Sequence, residues 1–441
     1  MALVCGHDAP VHGVPLCEHI RNATADPIDH YLHYTGRGTE RQRLCGACRG
    51  EAPTAVTAAV CEDCFDATEG SSLGVVGCPQ ISDAGRPVGG IVRNAPLPDE
   101  AGTVVDMAPV ADGFVLLADD GRVLRWNTET GTCTEAARTT VTVPDDAEPW
   151  CDRQQALRLH ASRDGAFAAV VIDYGRTGEV VDLTTGAVTL RLENDGYHSA
   201  TVPFSLAFTE HAGRTVLLHR SQWCVIEATD PATGVRLARI PADDPASAWS
   251  GHFHGALHPS PAGTRIASDA WVWHPVGRTV AWNLDQWLTD GDDAWNRDIG
   301  WSALPACAYH WDRPVVWLDE DRLVLGGLGD DDDELVAGAR VFDLTRRGPA
   351  GTAGTAEAIE PVEIATFGGP QGRFFTADGL LFSSSEDGLE IWDPATGARL
   401  GTLPGFRPTH HDTLRGELVE LSAVGLRRWR TPTGPQAVAP S

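Results

Sequence analysis

Residues 378–397 read DGLLFSSSEDGLEIWDPATG, and this stretch contains the pattern that decides the fold. Two short apolar runs, Leu380–Ser383 and Leu389–Trp392, are each bounded by a turn that contains glycine. Runs of this kind are typical of antiparallel strands joined by tight turns. Asp393 follows, with Pro, Thr and Gly behind it; its carboxylate can cap a turn, and the glycine tolerates a positive φ. The stretch therefore predicts a β-hairpin followed by a capped turn.

Versions of the same unit recur along most of the chain. Each copy closes on an Asp or Asn, or on Arg in the last copy, at positions 127, 182, 230, 283, 343, 393 and 430. The mean spacing is about 50 residues, close to the length of one four-stranded propeller blade. Seven such units fit a closed ring, which protects strand edges that would otherwise pair with other chains. The pattern predicts an all-β fold, a seven-bladed β-propeller over residues 101–435. A β-sandwich or two smaller β domains would share the short-strand pattern and is the alternative fold.

Signature dipeptides indicate which family of propellers the repeats resemble. Trp392-Asp393 is the clearest, and Trp126-Asn127 and Trp282-Asn283 are near copies. Residues from about 100 to 435 resemble seven-bladed propellers of the WD-repeat or quinoprotein-like kind. No regular Gly-His dipeptide precedes these pairs, so the resemblance does not carry over the family's Asp–His–Ser–Trp hydrogen-bond network.

The composition excludes several function classes. The 34 basic residues are all Arg, which excludes a Schiff-base lysine and a phosphate-loop lysine. A net charge of −27 disfavours phosphate backbones, so we expect no nucleic-acid partner. No apolar run approaches the ~18 residues of a membrane span. The first 13 residues contain His and Asp and lack an apolar core, which is unlike a signal peptide. We expect a cytoplasmic protein with no membrane partner.

A small N-terminal module, residues 1–85, contains four pairs of metal-ligand residues. The pairs are Cys5 with His7, Cys17 with His19, Cys45 with Cys48, and Cys61 with Cys64. The last two are CxxC knuckles, which place two thiolates on one ion. In a C-x-H pair the side chains lie on the same side of an extended strand, so both can face one metal. With four ligands to each ion, these residues predict two structural zinc ions. Buried free thiols are the alternative interpretation of these cysteines.

Two groupings of the four pairs are open. Sequential grouping gives one four-cysteine site and one site of two cysteines and two histidines, whereas interleaved grouping joins the first pair to the third and the second to the fourth. Four successive pairs resemble the cross-brace zinc modules of the RING-like class. The chain opens with Cys5-Gly-His7 instead of CxxC, so no ligase activity is inferred.

Residues 86–100 form a connector rich in Pro and Gly. The chain after Trp429 is short and rich in proline, so the last repeat lacks a good outer strand. We expect a strand from before residue 100 to supply it and to close the ring, with Gly90–Arg93 as the candidate.

Two function classes remain. The first is a non-enzymatic scaffold whose propeller binds a protein partner; the second is an enzyme that uses the central funnel with a bound cofactor or metal. No catalytic motif is found, which favours the scaffold. Residues 285–313 form a long connection rich in Trp and Asp, and long connections are often functional. We expect them to cap one face of the propeller and to offer Trp295 or Trp301 to a partner, because Trp is enriched at binding hot spots. The alternative is that these rings only hold the connection against the blades.

Overall fold

The computed structural model describes most of the chain in two compact units. The described residues are 14–22, 28–35, 40–48, 57–60, 72–75, 86–88, 90–145, 147, 149–150, 153–238, 252–272, 275–290, 302–329, 335–347, 361–423 and 425–433. The described parts of residues 1–88 and 302–404 belong to the first unit. Those of residues 89–301 and 405–433 belong to the second.

The first unit begins with a five-stranded sheet and one helical turn. The strands are β1 (Val14–Cys17), β2 (His30–Thr35), β3 (Glu40–Cys45), β4 (Thr57–Val60) and β5 (Ser72–Val75), and the helical turn is α1 (Glu18–Arg21). Their order across the sheet is β4-β1-β3-β2-β5. β2 and β3 form an antiparallel hairpin, whereas β1 runs parallel to β3 with Leu16 opposite Arg43.

The connector contributes two short strands, β6 (Arg86–Pro87) and β7 (Arg93–Pro96), followed by a 3₁₀ turn at Asp99–Ala101. β6 pairs in parallel with a later strand of the first unit, through Gly401 and Thr402. β7 lies in the second unit and pairs there with the last strand that the structure describes.

The second unit continues with a series of antiparallel strands. The first sheet contains β8 (Val104–Val110), β9 (Gly113–Ala118), β10 (Arg122–Trp126) and β11 (Cys133–Arg138), and the second contains β12 (Ala156–Ala161), β13 (Phe167–Asp173), β14 (Thr177–Asp182) and β15 (Val188–Glu193). A 3₁₀ turn at Ser199–Thr201 precedes the third sheet, β16 (Leu206–His211), β17 (Arg214–Gln222) and β18 (Val225–Thr229). The fourth contains β19 (His252–Pro259), β20 (Arg265–Val272) and β21 (Val276–Asn283), and helix α2 (Leu284–Asp290) follows it.

The first unit then resumes with two more such sheets. Short strands β22 (Ser302–Ala303) and β23 (Cys307–Ala308) come first. One sheet contains β24 (Val315–Trp317), β25 (Arg322–Leu328), β26 (Val336–Arg347) and β27 (Pro361–Gly368). The next contains β28 (Arg373–Ala377), β29 (Leu380–Ser385), β30 (Gly388–Asp393) and β31 (Ala398–Pro404), with β6 added beside β31.

The last sheet returns to the second unit. It contains β32 (His410–Asp412), β33 (Glu417–Ser422) and β34 (Gly425–Arg430). β7 lies antiparallel to β34, with Leu426 opposite Ala95, and is the fourth strand of this sheet. The strand from before residue 100 is therefore Arg93–Pro96, three residues beyond the expected Gly90–Arg93.

Within each of these sheets, consecutive strands are neighbours and run antiparallel. In the second unit the first strands lie side by side, because β12 contacts both β8 and β16, β16 contacts β19, and β32 contacts β8. Apolar side chains fill the space between adjacent sheets, as where Leu117 and Val123 pack with Val170 and Val181. Serial antiparallel sheets of about four strands, with their first strands innermost, are the blades of a β-propeller. The all-β propeller prediction is confirmed at this level.

The quoted stretch folds as predicted. Its two apolar runs form β29 and β30, which pair antiparallel with Leu381 opposite Trp392. The Trp392 indole is buried, and its Nε1 donates a hydrogen bond to Ser383 Oγ at 2.9 Å. The Asp393 carboxylate caps the turn after β30 by accepting from the Ala395 N–H at 2.9 Å.

Candidate metal centre

The strand order of the N-terminal sheet brings two of the predicted ligand pairs together. β1 and β3 are parallel neighbours, so their carboxyl ends lie at the same edge of the sheet. Cys17 is the last residue of β1 and Cys45 is the last residue of β3. His19 follows in α1, and Cys48 lies one turn beyond Cys45.

The spacing of the C-x-H pair predicts that both residues lie on one extended strand. The structure differs from this prediction. Cys17 is extended, with φ −65° and ψ 147°, but helical turn α1 begins at Glu18. His19 therefore reaches the site from a turn of helix. The reason is that β1 ends at Cys17, and a pattern of two ligands cannot show where a strand ends.

The four side chains form a compact cluster. The ligand atoms of Cys17, His19, Cys45 and Cys48 all lie within 4.8 Å of one another. His19 Nδ1 is 3.3 Å from Cys48 Sγ. The backbone N–H of Cys45 donates to Cys17 Sγ at 3.4 Å, and that of Cys48 donates to the Cys45 carbonyl at 3.0 Å. These bonds close the knuckle and hold its two sulfurs on one side.

Burial and neighbouring groups change the acidity of the knuckle thiols. All three cysteines are buried, whereas His19 is exposed. Burial raises the pKa of the Cys48 thiol to about 12, with the neighbouring Cys45 and Cys17 thiols adding to the effect. Burial also opposes ionisation of Cys45, but backbone N–H groups of Cys48 and Ala47 donate to its sulfur and lower its pKa overall. Backbone N–H groups of the knuckle thus stabilise the thiolate form of Cys45.

The donor set and its spacing fit a metal ion. Three thiolates and one imidazole are a common donor set for tetrahedral zinc, with Zn–S bonds of about 2.3 Å and Zn–N bonds of about 2.0 Å. Ligand atoms at those bond lengths lie roughly 3.5–4 Å apart in a tetrahedron, which agrees with a cluster bounded by 4.8 Å. This cluster can bind one metal ion.

The grouping of ligand pairs differs from both expected arrangements. The structure joins the second pair to the third, which is neither sequential nor interleaved. The physical reason is the strand order, in which β1 lies beside β3. The other predicted ligands, Cys5, His7, Cys61 and Cys64, lie outside the described residues, as do Trp295 and Trp301.

Two other Trp residues of the long connection are described, and both are buried. Trp287 is on α2, where its ring packs edge-on against Trp282 with centroids 6.2 Å apart. Trp311 is 6% exposed. These two rings hold the connection against the protein, which is the alternative role given above for the Trp residues of this segment.

A cluster of aromatic side chains with one exposed ring, called the aromatic patch below, was missed at the sequence level. The patch contains Tyr197, His198, Trp223, Phe253 and Trp271 of the second unit. Phe253 is stacked on Trp271 with centroids 3.9 Å apart, and Tyr197 is stacked on Phe253 at 5.7 Å. Tyr197 is 50% exposed, so the patch reaches from the core to the surface. Its members are up to 74 positions apart in the sequence, so no local motif joins them.

No protein-family model and no curated protein matches the chain. Solved structures do match it. The chain is similar to the β-propeller domain of Cps50 (Swd1) from Myceliophteria thermophila, at 13% identity over 78% of this chain and 100% of that one, with a TM-score of 0.46. It is also similar to the computationally designed protein Ika8, at 14% identity, 76% and 98% coverage and a TM-score of 0.42. A chain of a mitotic checkpoint complex matches at 14% identity, 80% and 94% coverage and a TM-score of 0.45.

Among the described residues, no helix is long and apolar enough to cross a membrane.

Proposed function

We propose that the protein is a non-enzymatic interaction scaffold, a WD-repeat-like propeller that binds a protein partner. The observation that carries this proposal is the aromatic patch. Tyr197 presents half of its surface to solvent while Phe253 and Trp223 hold its ring from below, at centroid distances of 5.7 and 5.9 Å. Rigid aromatic side chains give a large contact area and lose little conformational entropy on binding, and they are enriched at binding hot spots.

The patch makes a sharp test possible. A photoreactive phenylalanine analogue at Tyr197 should cross-link to a defined protein in cells of the source organism. The matched control is the same substitution at Tyr309, which is 61% exposed and belongs to the first unit. The same adduct from both positions, or none from Tyr197, would contradict the proposal.

We further propose that the seven sheets are seven blades of one propeller. The support comes from sequence and local structure together, since six of the seven repeat pivots cap their turns with an Asp or Asn side chain. The acceptors are Asn127, Asp182, Asp230, Asn283, Asp343 and Asp393.

In the N-terminal sheet we propose two structural zinc ions, one of them at Cys17, His19, Cys45 and Cys48. Four protein ligands leave no open coordination position, which is typical of structural zinc. For the second ion we propose Cys5, His7, Cys61 and Cys64. In support, β4 ends with Val60 opposite Val14, the first residue of β1. Cys61 comes directly after Val60 in the sequence, and Cys5 and His7 come shortly before Val14. The two pairs therefore flank, in sequence, two strand ends that lie side by side.

Metal analysis of the full-length protein tests this assignment. The wild type should contain two zinc ions per chain, Cys48→Ala should contain one, and Cys61→Ala should also contain one. A wild-type content of zero would end the proposal, and a content of one that Cys61→Ala leaves unchanged would remove the second site. We also propose that the partner is not a nucleic acid, because of the net charge of −27. A cytoplasmic location without a membrane partner remains part of the proposal because no apolar run approaches the ~18 residues of a membrane span and the first 13 residues are unlike a signal peptide.

A further inference from the structure

A depression of about 360 Å³ lies among the innermost strands of the second unit. β8, β12, β16, β19 and the segment around β32 all contribute to its wall. Most of the wall is apolar, and it includes Met107, Leu159, Leu206, Phe208, Leu257 and Leu414. The polar side chains at the wall are His160, Arg163, His410 and Thr413. An apolar cavity with a few polar groups is the usual form of a small-molecule site, and this volume is at the small end of the range.

His160 is one of the residues at the wall, and its ring nitrogen Nε2 is buried. Its Nε2 makes no hydrogen bond to any described part of the chain. Burial lowers the pKa of His160 to about 4, with the nearby Arg158 guanidinium adding to the effect. The imidazole is therefore neutral at neutral pH, and a neutral imidazole can carry its proton on Nε2 and donate it to a ligand. A buried polar atom left without a partner is costly, so a ligand that accepts this hydrogen bond gains free energy.

Arg163 gives the depression a positive charge that the described protein groups do not neutralise. The neighbouring Arg158 and His410 side chains already have partners. Arg158 lies 3.0 Å from Asp173 Oδ2, and His410 Nε2 lies 3.0 Å from Asp106 Oδ1. The second ring nitrogen of His410 lies 2.8 Å from Thr409 Oγ1. Arg163 forms no ion pair within the described residues, although the protein as a whole is strongly acidic.

We propose that this depression binds a small carboxylic acid with an apolar body. The apolar body packs on the strand side chains, the carboxylate pairs with the Arg163 guanidinium, and His160 Nε2–H donates a hydrogen bond to it. A carboxylate fits because guanidinium binds it with two parallel hydrogen bonds, and because the volume leaves little room for a larger anion. The site is independent of the proposed protein partner, whose patch lies elsewhere.

Calorimetry with the full-length protein tests the site. The probes are hexanoate, octanoate and 3-phenylpropionate, each with the primary amide of the same carbon skeleton as the uncharged control. The acids should bind and the amides should bind at least tenfold more weakly. Arg163→Gln should raise the Kd of the acids at least tenfold, about 1.4 kcal/mol, and His160→Phe should raise it as well.

Arg214→Gln is the matched control, because Arg214 is an exposed arginine beside the first turn of the neighbouring sheet and does not line the depression. It should leave the Kd of the acids unchanged. Acids that do not bind at millimolar concentration, amides that bind as tightly as acids, or an Arg163→Gln variant with the wild-type Kd would each overturn the proposal.

Discussion

At the residue scale, the propeller depends on one turn that is built repeatedly. In each of several copies an Asp or Asn side chain accepts hydrogen bonds from the backbone two and three residues later. Asp182 Oδ1, for example, accepts from Thr184 N at 2.7 Å and from Thr185 N at 3.0 Å. A glycine with positive φ then leads into the next strand, as Gly397 does at φ 69°. The short polar side chain and the glycine have separate tasks, which is why they recur together.

Gly397 and Gly131 provide a matched pair for testing this turn. Both have positive φ, 69° and 73°, so Ala at either position costs about 1–2 kcal/mol of backbone strain. A Cβ at Gly131 would meet nothing within 4 Å, whereas one at Gly397 would lie 2.6 Å from Phe367 Cβ. Chemical denaturation should therefore show that Gly397→Ala loses more unfolding free energy than Gly131→Ala. Equal losses would mean that Phe367 moves aside without cost.

A buried carboxylate gives stability a predictable pH dependence. Asp106 accepts the Leu159 N–H at 2.8 Å and pairs with His410 Nε2. Burial opposes its ionisation, but the hydrogen bond from His410 and the other partners outweigh burial, so the pKa of Asp106 is lowered. A lowered carboxyl pKa contributes stability above the unfolded value of about 3.9, and this contribution is lost as pH falls through the folded-state pKa.

Asp106→Asn should therefore lose about 1–3 kcal/mol of unfolding free energy at pH 7, because a charge-assisted bond is removed. The gap to the wild type should narrow in urea titrations below about pH 4, where the wild type loses the same contribution. Asp112→Asn is the control, since that carboxylate is 57% exposed in its pair with Arg125 and should change stability by less than about 0.5 kcal/mol. A gap that stays constant with pH would refute this explanation.

At the element scale, the N-terminal sheet shares its core with a blade. Leu16, Leu32 and Leu44 pack with the three site cysteines and with Leu328 of β25, which is completely buried. The sheet is small, and so few apolar residues give little stability on their own. β25 therefore supplies part of the apolar surface that holds the metal site together.

Leu328→Ala should expose this dependence. Removing a fully buried leucine side chain costs about 2–5 kcal/mol. Hydrogen exchange should show faster exchange of the β1 and β3 amides, and a chelator should remove the proposed zinc ion faster than from the wild type. Ile91→Ala, at a side chain that is 84% exposed, should change neither rate. Unchanged exchange in β1 and β3 would show that the sheet is stable without β25.

The features that could be predicted from the sequence are those that depend on local interactions. The features that depend on long-range contacts could not be predicted. The hairpin at Leu380–Trp392 was predictable because strand alternation and turn chemistry are local. The grouping of Cys17 with Cys45 was not, because it depends on which strands lie side by side over a gap of 28 residues. The aromatic patch has the same limitation. The outer strand of the last sheet was expected at Gly90–Arg93, but the observed strand is Arg93–Pro96. It can include Pro96 because an outer strand needs few N–H donors and therefore tolerates proline.

At the scale of the whole molecule, the segment before residue 100 contributes to two blades. β6 extends the sheet of β28–β31, and β7 completes the sheet of β32–β34. An Arg93 guanidinium also pairs with Glu417, which is buried. The last sheet therefore depends on a strand from the start of the second unit.

Replacing Arg93–Pro96 with Gly-Ser-Gly-Ser should lower the melting temperature of the second unit by several degrees. The last sheet would lose an outer strand and Glu417 would lose one of its two arginines. Ile91→Ser, two residues before the strand, is the control and should melt with the wild type. A replaced strand with the wild-type melting temperature would show that β7 adds nothing to stability.

The position of β7 in the sequence also determines how long this strand is without its partner during translation. Its partner β34 is encoded about 330 residues later, so at 5–20 residues per second a ribosome needs roughly 15–65 s to supply it. During that interval the nascent chain carries a β7 that has nothing to pair with, while the intervening blades can already fold. A strand of four residues that ends in proline is a poor template for pairing with other chains. β7 is short, which makes it hard to recognise in the sequence, and a short strand suits a segment that stays unpaired until β34 has been synthesised.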